Sequence, residues 1–183
     1  MDLHTSVSTL STTVNNVHGD VGVTSTAGGN AVDITTMNDT QVQNDQYTSS
    51  VDLFSDLGAS IHNVDGSVAV QGQSTCNDTQ ISTDPNFTQV NSNQECRAKD
   101  PTSSMNVDAG NIGGDLSVSN LAAGNSFQED TNAPFAPITT RQINASSVNA
   151  NTIANVANIG GSVSVTSNAV GNTAQIVHYG TGN

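Results

Sequence analysis

Apolar side chains fall two apart in four short stretches: Val21, Val23 and Ala27; Val68 and Val70; Leu116, Val118 and Ala122; Val163, Val165 and Ala169. Alternation of this kind turns one side of an extended strand to a core and the other to water, because strand side chains change face at every residue. Small or polar residues complete the inward sets: Ser25, Gly72, Ser74, Asn120 and Ser167. Each stretch then reaches Gly29-Asn30, Cys76-Asn77, Gly124-Asn125 or Gly171-Asn172. Glycine and asparagine tolerate left-handed backbone angles, so these pairs predict a tight arc. A second short strand is predicted beyond the arc, from Val32 and Ile34, Thr79 and Ile81, Phe127 and Glu129, and Ala174 and Ile176. Glu129 breaks the apolar pattern. No segment carries a helical period, and the chain reads as all-β.

The four stretches are copies of one motif. It opens at Asn16, Asn63, Asn111 and Asn158, at spacings of 47, 48 and 47 residues. Glycine follows three positions on in every copy, at Gly19, Gly66, Gly114 and Gly161, and the motif closes at Asn30, Asn77, Asn125 and Asn172. A fixed long period marks a stacked fold, here a β-solenoid of strand-arc-strand coils in one repeat domain. The strong half-repeats cover about 16–36, 63–82, 111–129 and 158–178. Weaker halves lie between them, where Thr40-Gln41-Val42 matches Thr88-Gln89-Val90, and residues 130–140, with Pro134 and Pro137, read as a protruding loop. Either each half-repeat of about 23 residues forms one coil or the whole repeat does. The shorter coil fits common repeat sizes and is the one expected. The longer one better explains why Asn returns only once per repeat. Asparagine carries a donor and an acceptor, so in-phase copies stacked ~4.8 Å apart are expected to form a hydrogen-bonded ladder through both Asn positions.

Composition narrows the function. The net charge is −13 with only three Lys and Arg among 183 residues, which removes the clustered cations that nucleic acid or an anionic membrane requires. Aromatics are 3% of the chain, so the core is expected to be thin, of small and β-branched residues. Cys76 and Cys96 stand twenty residues apart. They are able to close a loop in an oxidising compartment, and two free thiols in small slots is the alternative. His4, His18, His62 and His178 have no metal-ligand spacing, and the acids are plentiful but unpatterned, which leaves calcium as the one conceivable ion. No nucleophile elbow, phosphate loop or paired catalytic carboxylate stands out, and the expectation is a protein that is not an enzyme and has no cofactor. No apolar run is long enough to span a membrane. Met1-Asp2-Leu3-His4 has no signal-peptide character, and the composition suits an extracellular or cell-surface protein read in its mature form.

Val163, Val165, Ser167, Ala169, Gly171-Asn172, Ala174 and Ile176 resemble the curlin repeat of curli subunits, the functional amyloids of bacterial surface fibres. Ser25, Gly72, Asn120 and Ser167 replace the inward Gln of that repeat, and the curlin period is near half of this one. The resemblance covers the strong halves. It implies a secreted subunit that polymerises head-to-tail with copies of itself, for adhesion or biofilm matrix, in company with a cell-surface anchor or nucleator. Related curlin-like proteins help to anchor adhesive holdfasts. A solenoid end also exposes strand edges that invite another chain. The expected function is therefore a fibre subunit. The alternative is a stalk or tip module of a surface adhesin. An ice-binding solenoid is a poorer reading, because the threonines do not form in-phase arrays.

Overall fold

The computed structural model describes residues 5–179, and Met1 to His4, read above for signal character, lie outside them. The elements are β1 (Thr5–Val17), β2 (Val21–Thr36), β3 (Thr40–Val64), β4 (Val68–Thr83), β5 (Thr88–Ile112), β6 (Leu116–Thr131), β7 (Ile138–Asn144), β8 (Asn149–Ile159) and β9 (Val163–His178). They form two parallel sheets. One runs β1-β3-β5-β7, with β8 also on β5, and the other runs β2-β4-β6-β9. The chain is a β-solenoid whose successive coils pass from one sheet to the other.

The coil is the whole repeat, not the half expected from common repeat sizes. Val21 pairs with Val68, Val68 with Leu116, and Leu116 with Val163. The two halves of a repeat lie in opposite sheets and face each other. Only a full-length coil places Asn30, Asn77, Asn125 and Asn172 in one column and Val21, Val68, Leu116 and Val163 in another, which a half-coil stack would alternate with residues of the weak halves. The second strand after the arc is also not separate. Gly29-Asn30, Cys76-Asn77, Gly124-Asn125 and Gly171-Asn172 lie within continuous strands. Left-handed backbone occurs instead at the opening residues, with φ of 57° at Asn16, 55° at Asn63, 57° at Asn111 and 56° at Asn158. Ser50 at φ 58° and Asp100 at φ 39° bend the long strands β3 and β5 where their register shifts. The proline-containing segment leaves the sheets only across 132–137, a shorter excursion than 130–140.

Apolar side chains gather in three clusters between the sheets. The largest joins Leu57, Ile61, Val68, Val70, Met105, Val107 and Leu116. Cys76 and Cys96 sit in a middle cluster with Val51, Leu53 and Ala98, and Ile81, Val90 and Phe127 form the third. Fully buried polar residues lie beside them, Asn77, Thr79, Gln94 and Asn125 among these. The core is thin and partly polar, so its hydrogen bonds have to be complete.

Candidate functional site

The closing asparagines line up in the interior. Asn30 Nδ2 donates to Asn77 Oδ1 at 3.0 Å, Asn77 to Asn125 at 2.7 Å, and Asn125 to Asn172 at 2.7 Å. Asn125 also donates to the Ile143 carbonyl in the facing sheet, and Asn30 to the Tyr47 carbonyl. The donors all point toward higher coil number. The row therefore begins with an acceptor oxygen on Asn30 and ends with a donor amide on Asn172. The residue before the asparagine has no room for a side chain at Gly29 and Gly124, whereas Cys76 holds that place in the second copy. A Cβ at Gly29 would lie 2.2 Å from the Cys76 carbonyl oxygen, and one at Gly124 would lie 2.2 Å from that of Gly171.

The opening asparagines form a second row, exposed and running the other way. Asn158 donates to Asn111 at 3.1 Å, and Asn111 to Asn63 at 2.9 Å. Asn63 then donates to Asn15 at 2.8 Å, so Asn16, expected in the row, is replaced by its neighbour. Asn15 and Asn16 are adjacent on β1, the outermost strand of its sheet among the described residues, and Asn15 is the one that accepts. Gly19, Gly66, Gly114 and Gly161 stack beside this row. The Gly66 N–H donates to Gly19, Gly114 to Gly66, and Gly161 to Gly114, at 2.9–3.2 Å. Side chains on Gly66, Gly114 and Gly161 would collide with the turn beneath, while Gly19, in the first coil, has open space around it and is set apart by its φ of 130°.

A third row was missed in the sequence. Gln142 Nε2 donates to Gln94 Oε1, and Gln94 Nε2 to Gln46 Oε1, both at 2.8 Å. Each glutamine also crosses to a backbone carbonyl opposite: Gln46 to Asp78, Gln94 to Ser126, Gln142 to Thr173. The signal was a glutamine four residues after Val42, Val90 and Ile138 in the weak halves. Cys76 and Cys96 form a disulfide that joins β4 to β5. His18 pairs with Asp65, and His62 lies 3.5 Å from Asp108, all at the surface where such pairs contribute little. Among the described residues no group of three or more His, Cys, Asp or Glu is placed to hold a metal ion.

Glu129 occupies an inward column that is otherwise Ile34, Ile81 and Ile176. It is fully buried, and neither carboxylate oxygen has a hydrogen-bond partner. Burial raises its pKa from 4.5 to about 7, against a smaller opposing pull from His178. The folded state thus holds a proton that the unfolded chain releases near 4.5. Stability from this group is full below that value, falls as pH rises toward about 7, and stays low above it. Glu129→Ile is expected to stabilise the protein by about 2 kcal/mol near neutral pH and above. Thermal melts on the acid and alkaline sides of the window check this. The variant's gain over wild type should shrink on the acid side, and an equal gain at both would remove the assignment.

The inward columns stay open at the two ends of the stack. On the outer face of β8 and β9, Val163 is 49% exposed, Val165 47% and Ile176 47%. On the outer face of β1 and β2, Leu10, Val14, Val17, Val21 and Ile34 are only partly buried. Both ends belong to the same columns, which inside the molecule read Val17-Val64-Ile112-Ile159 and Val21-Val68-Leu116-Val163. The two ends thus expose equivalent positions of the same columns, with the Asn30 oxygen at one end of the asparagine row and the Asn172 amide at the other.

No curated protein and no solved structure matches the chain. No helix among the described residues is long and apolar enough to cross a membrane. Residues 4–182 match the family described as holdfast attachment protein D, which is a surface-attachment family and not the curlin repeat itself. The chain, an all-β stack of parallel coils, belongs to the holdfast attachment protein D (HfaD) family of bacterial surface adhesion.

Proposed function

We propose that this chain is a structural, non-catalytic subunit that stacks end to end on copies of itself, building a curli-like extracellular fibre for attachment. One observation carries the reading: the apolar columns exposed on β9 continue, in register, the columns exposed on β2. A second copy placed there would set its Val21 on Val163, its Val23 on Val165 and its Ile34 on Ile176. Its Asn30 oxygen would receive the Asn172 amide. Such a contact is head-to-tail and does not close, so it propagates. Parallel strand edges would pair across it.

Charge sets the conditions. Each copy carries −13, so subunits repel at low salt. Raising ionic strength from about 0.01 M to about 0.15 M shortens the screening length from ~30 Å to ~8 Å. Sedimentation is expected to show monomers at the first condition and growing assemblies at the second. Assembly that weakens as salt rises would overturn the reading. A second reading, an adhesin module that touches its partner through the 132–137 loop, is favoured by Phe135, which is 62% exposed there.

A further inference from the structure

We infer that the first half of β3 is an acceptor edge for an extended strand of a separate polypeptide, one that reads apolar-x-Ser/Thr-basic-Gln-x-Asn/Thr. In the interior, the edge of β5 from Val90 to Cys96 carries β7 on one side and β3 on the other. β1 begins its pairing with β3 only at Asp52, so Thr40–Ser49 of β3 has no strand on its outer side among the described residues. A groove of about 800 Å³ lies there, lined by Gly29–Val32 on β2 and Asn44–Ser49 on β3.

The chemistry of the occupant follows from the three strands that fill the same column elsewhere. Val42, Val90 and Ile138 share one inward position, Asn44, Ser92 and Thr140 the next, and Thr48, Cys96 and Asn144 the last. Between them runs the glutamine row. Gln46 receives a bond from Gln94 and donates to Asp78, and its second N–H meets no acceptor among the described residues. One coil back from Asp78 in register stands Ala31, whose carbonyl lies where an incoming glutamine amide would reach. An incoming glutamine thus has an acceptor for its amide at Ala31 and a donor for its oxygen at Gln46.

Charge adds a further requirement. Asp45 faces outward in the column that continues through Asn93 to Arg141, and Arg141 bonds Asn93 at 2.9 Å. A basic residue beside the incoming glutamine would lie over Asp45, and opposite charges on neighbouring strands attract. Main-chain bonds to a free edge supply affinity in this mode, and side chains supply selection. The chain's own β7, Ile138-Thr139-Thr140-Arg141-Gln142-Ile143-Asn144, has every feature required and serves as a probe.

The inference rests in part on the end-to-end stack. There the outer edge of β7 from one copy and the edge of β3 from the next would stand one strand apart. A strand seated between them would lock the joint.

The test is binding of a labelled peptide spanning residues 136–146 to the intact protein at low salt, read by fluorescence anisotropy. Saturable binding of one peptide per chain is expected. Gln142→Leu in the peptide should weaken it about tenfold or more. Arg141→Glu should weaken it as well, and Asp45→Arg in the protein should restore binding of that variant peptide. Asp45 is exposed, so its replacement leaves the core intact. No saturable binding, or binding indifferent to Gln142 and to the charge swap, would overturn the inference. Repeating the assay on Val165→Asp protein separates the two proposals. Peptide binding by that variant is expected whether or not wild type assembles. Assembly of the wild type with no peptide binding overturns the groove and leaves the stack standing.

Discussion

Asn125→Ala is expected to lower stability by about 4 kcal/mol, or roughly 12 °C in melting temperature for a chain of this size. The side chain is fully buried and takes part in three hydrogen bonds. Its removal leaves an amide on Asn77, the Ile143 carbonyl and the Asn172 oxygen without that partner. A buried polar group without a partner costs about 1–3 kcal/mol, and the alanine side chain restores none of these bonds. Asn111→Ala is the informative comparison. Asn111 belongs to the exposed row and holds φ at 57°, so its loss should cost only about 1 kcal/mol, mostly from backbone conformation. Ser119→Ala, outward on β6, should change little. Thermal melts of the three variants rank them. Similar losses at Asn125 and Asn111 would sink the claim that burial makes the interior row the stronger one.

Val165→Asp is expected to abolish end-to-end assembly, weakening association at least about 100-fold, while the monomer keeps its melting temperature. Val165 is 47% exposed, so the monomer tolerates a charge there. In a stack it would be covered by Val23 of the next copy, and the carboxylate would lose its water with nothing to pair it. Thr166→Asp, one residue on and facing outward on β9, is the control and should assemble nearly as wild type does. Sedimentation at moderate salt reads both. Equal loss in the two variants would mean that repulsion, not the open column, governs the contact.

Much of the fold was legible in particular residues. The in-phase Val, Asn and Gly positions carry the all-β solenoid because each must stack on its own kind, and the alternation around Val21, Val68, Leu116 and Val163 fixes which side chains point inward. Coil length was not legible from typical repeat sizes. The repeat itself contained the answer, since asparagine returned only every 47 or 48 residues. The site of left-handed backbone was misplaced for a physical reason. Gly29 and Gly124 are small to admit a neighbouring carbonyl, not to turn the chain, and those two uses of glycine look alike in a sequence. The glutamine row was hidden in the weak halves, where Gln41, Gln43 and Gln89 on the outward face obscure the single inward position shared by Gln46, Gln94 and Gln142. Cysteine pairing depended on the approach of β4 to β5, which spacing alone does not encode. Glu129 was visible as a break in an aliphatic column, and only its burial gives that break a consequence.

In the proposed fibre, one subunit's last coil continues as the next subunit's first. Electron microscopy of the purified protein at moderate salt, with helical analysis of any filament, reads this continuity. The expected result is an unbranched filament with a strong ~4.8 Å axial spacing and a rise of ~19 Å per subunit, four coils to a copy. Discrete monomers at high concentration, or filaments whose rise is unrelated to four strand spacings, would contradict it.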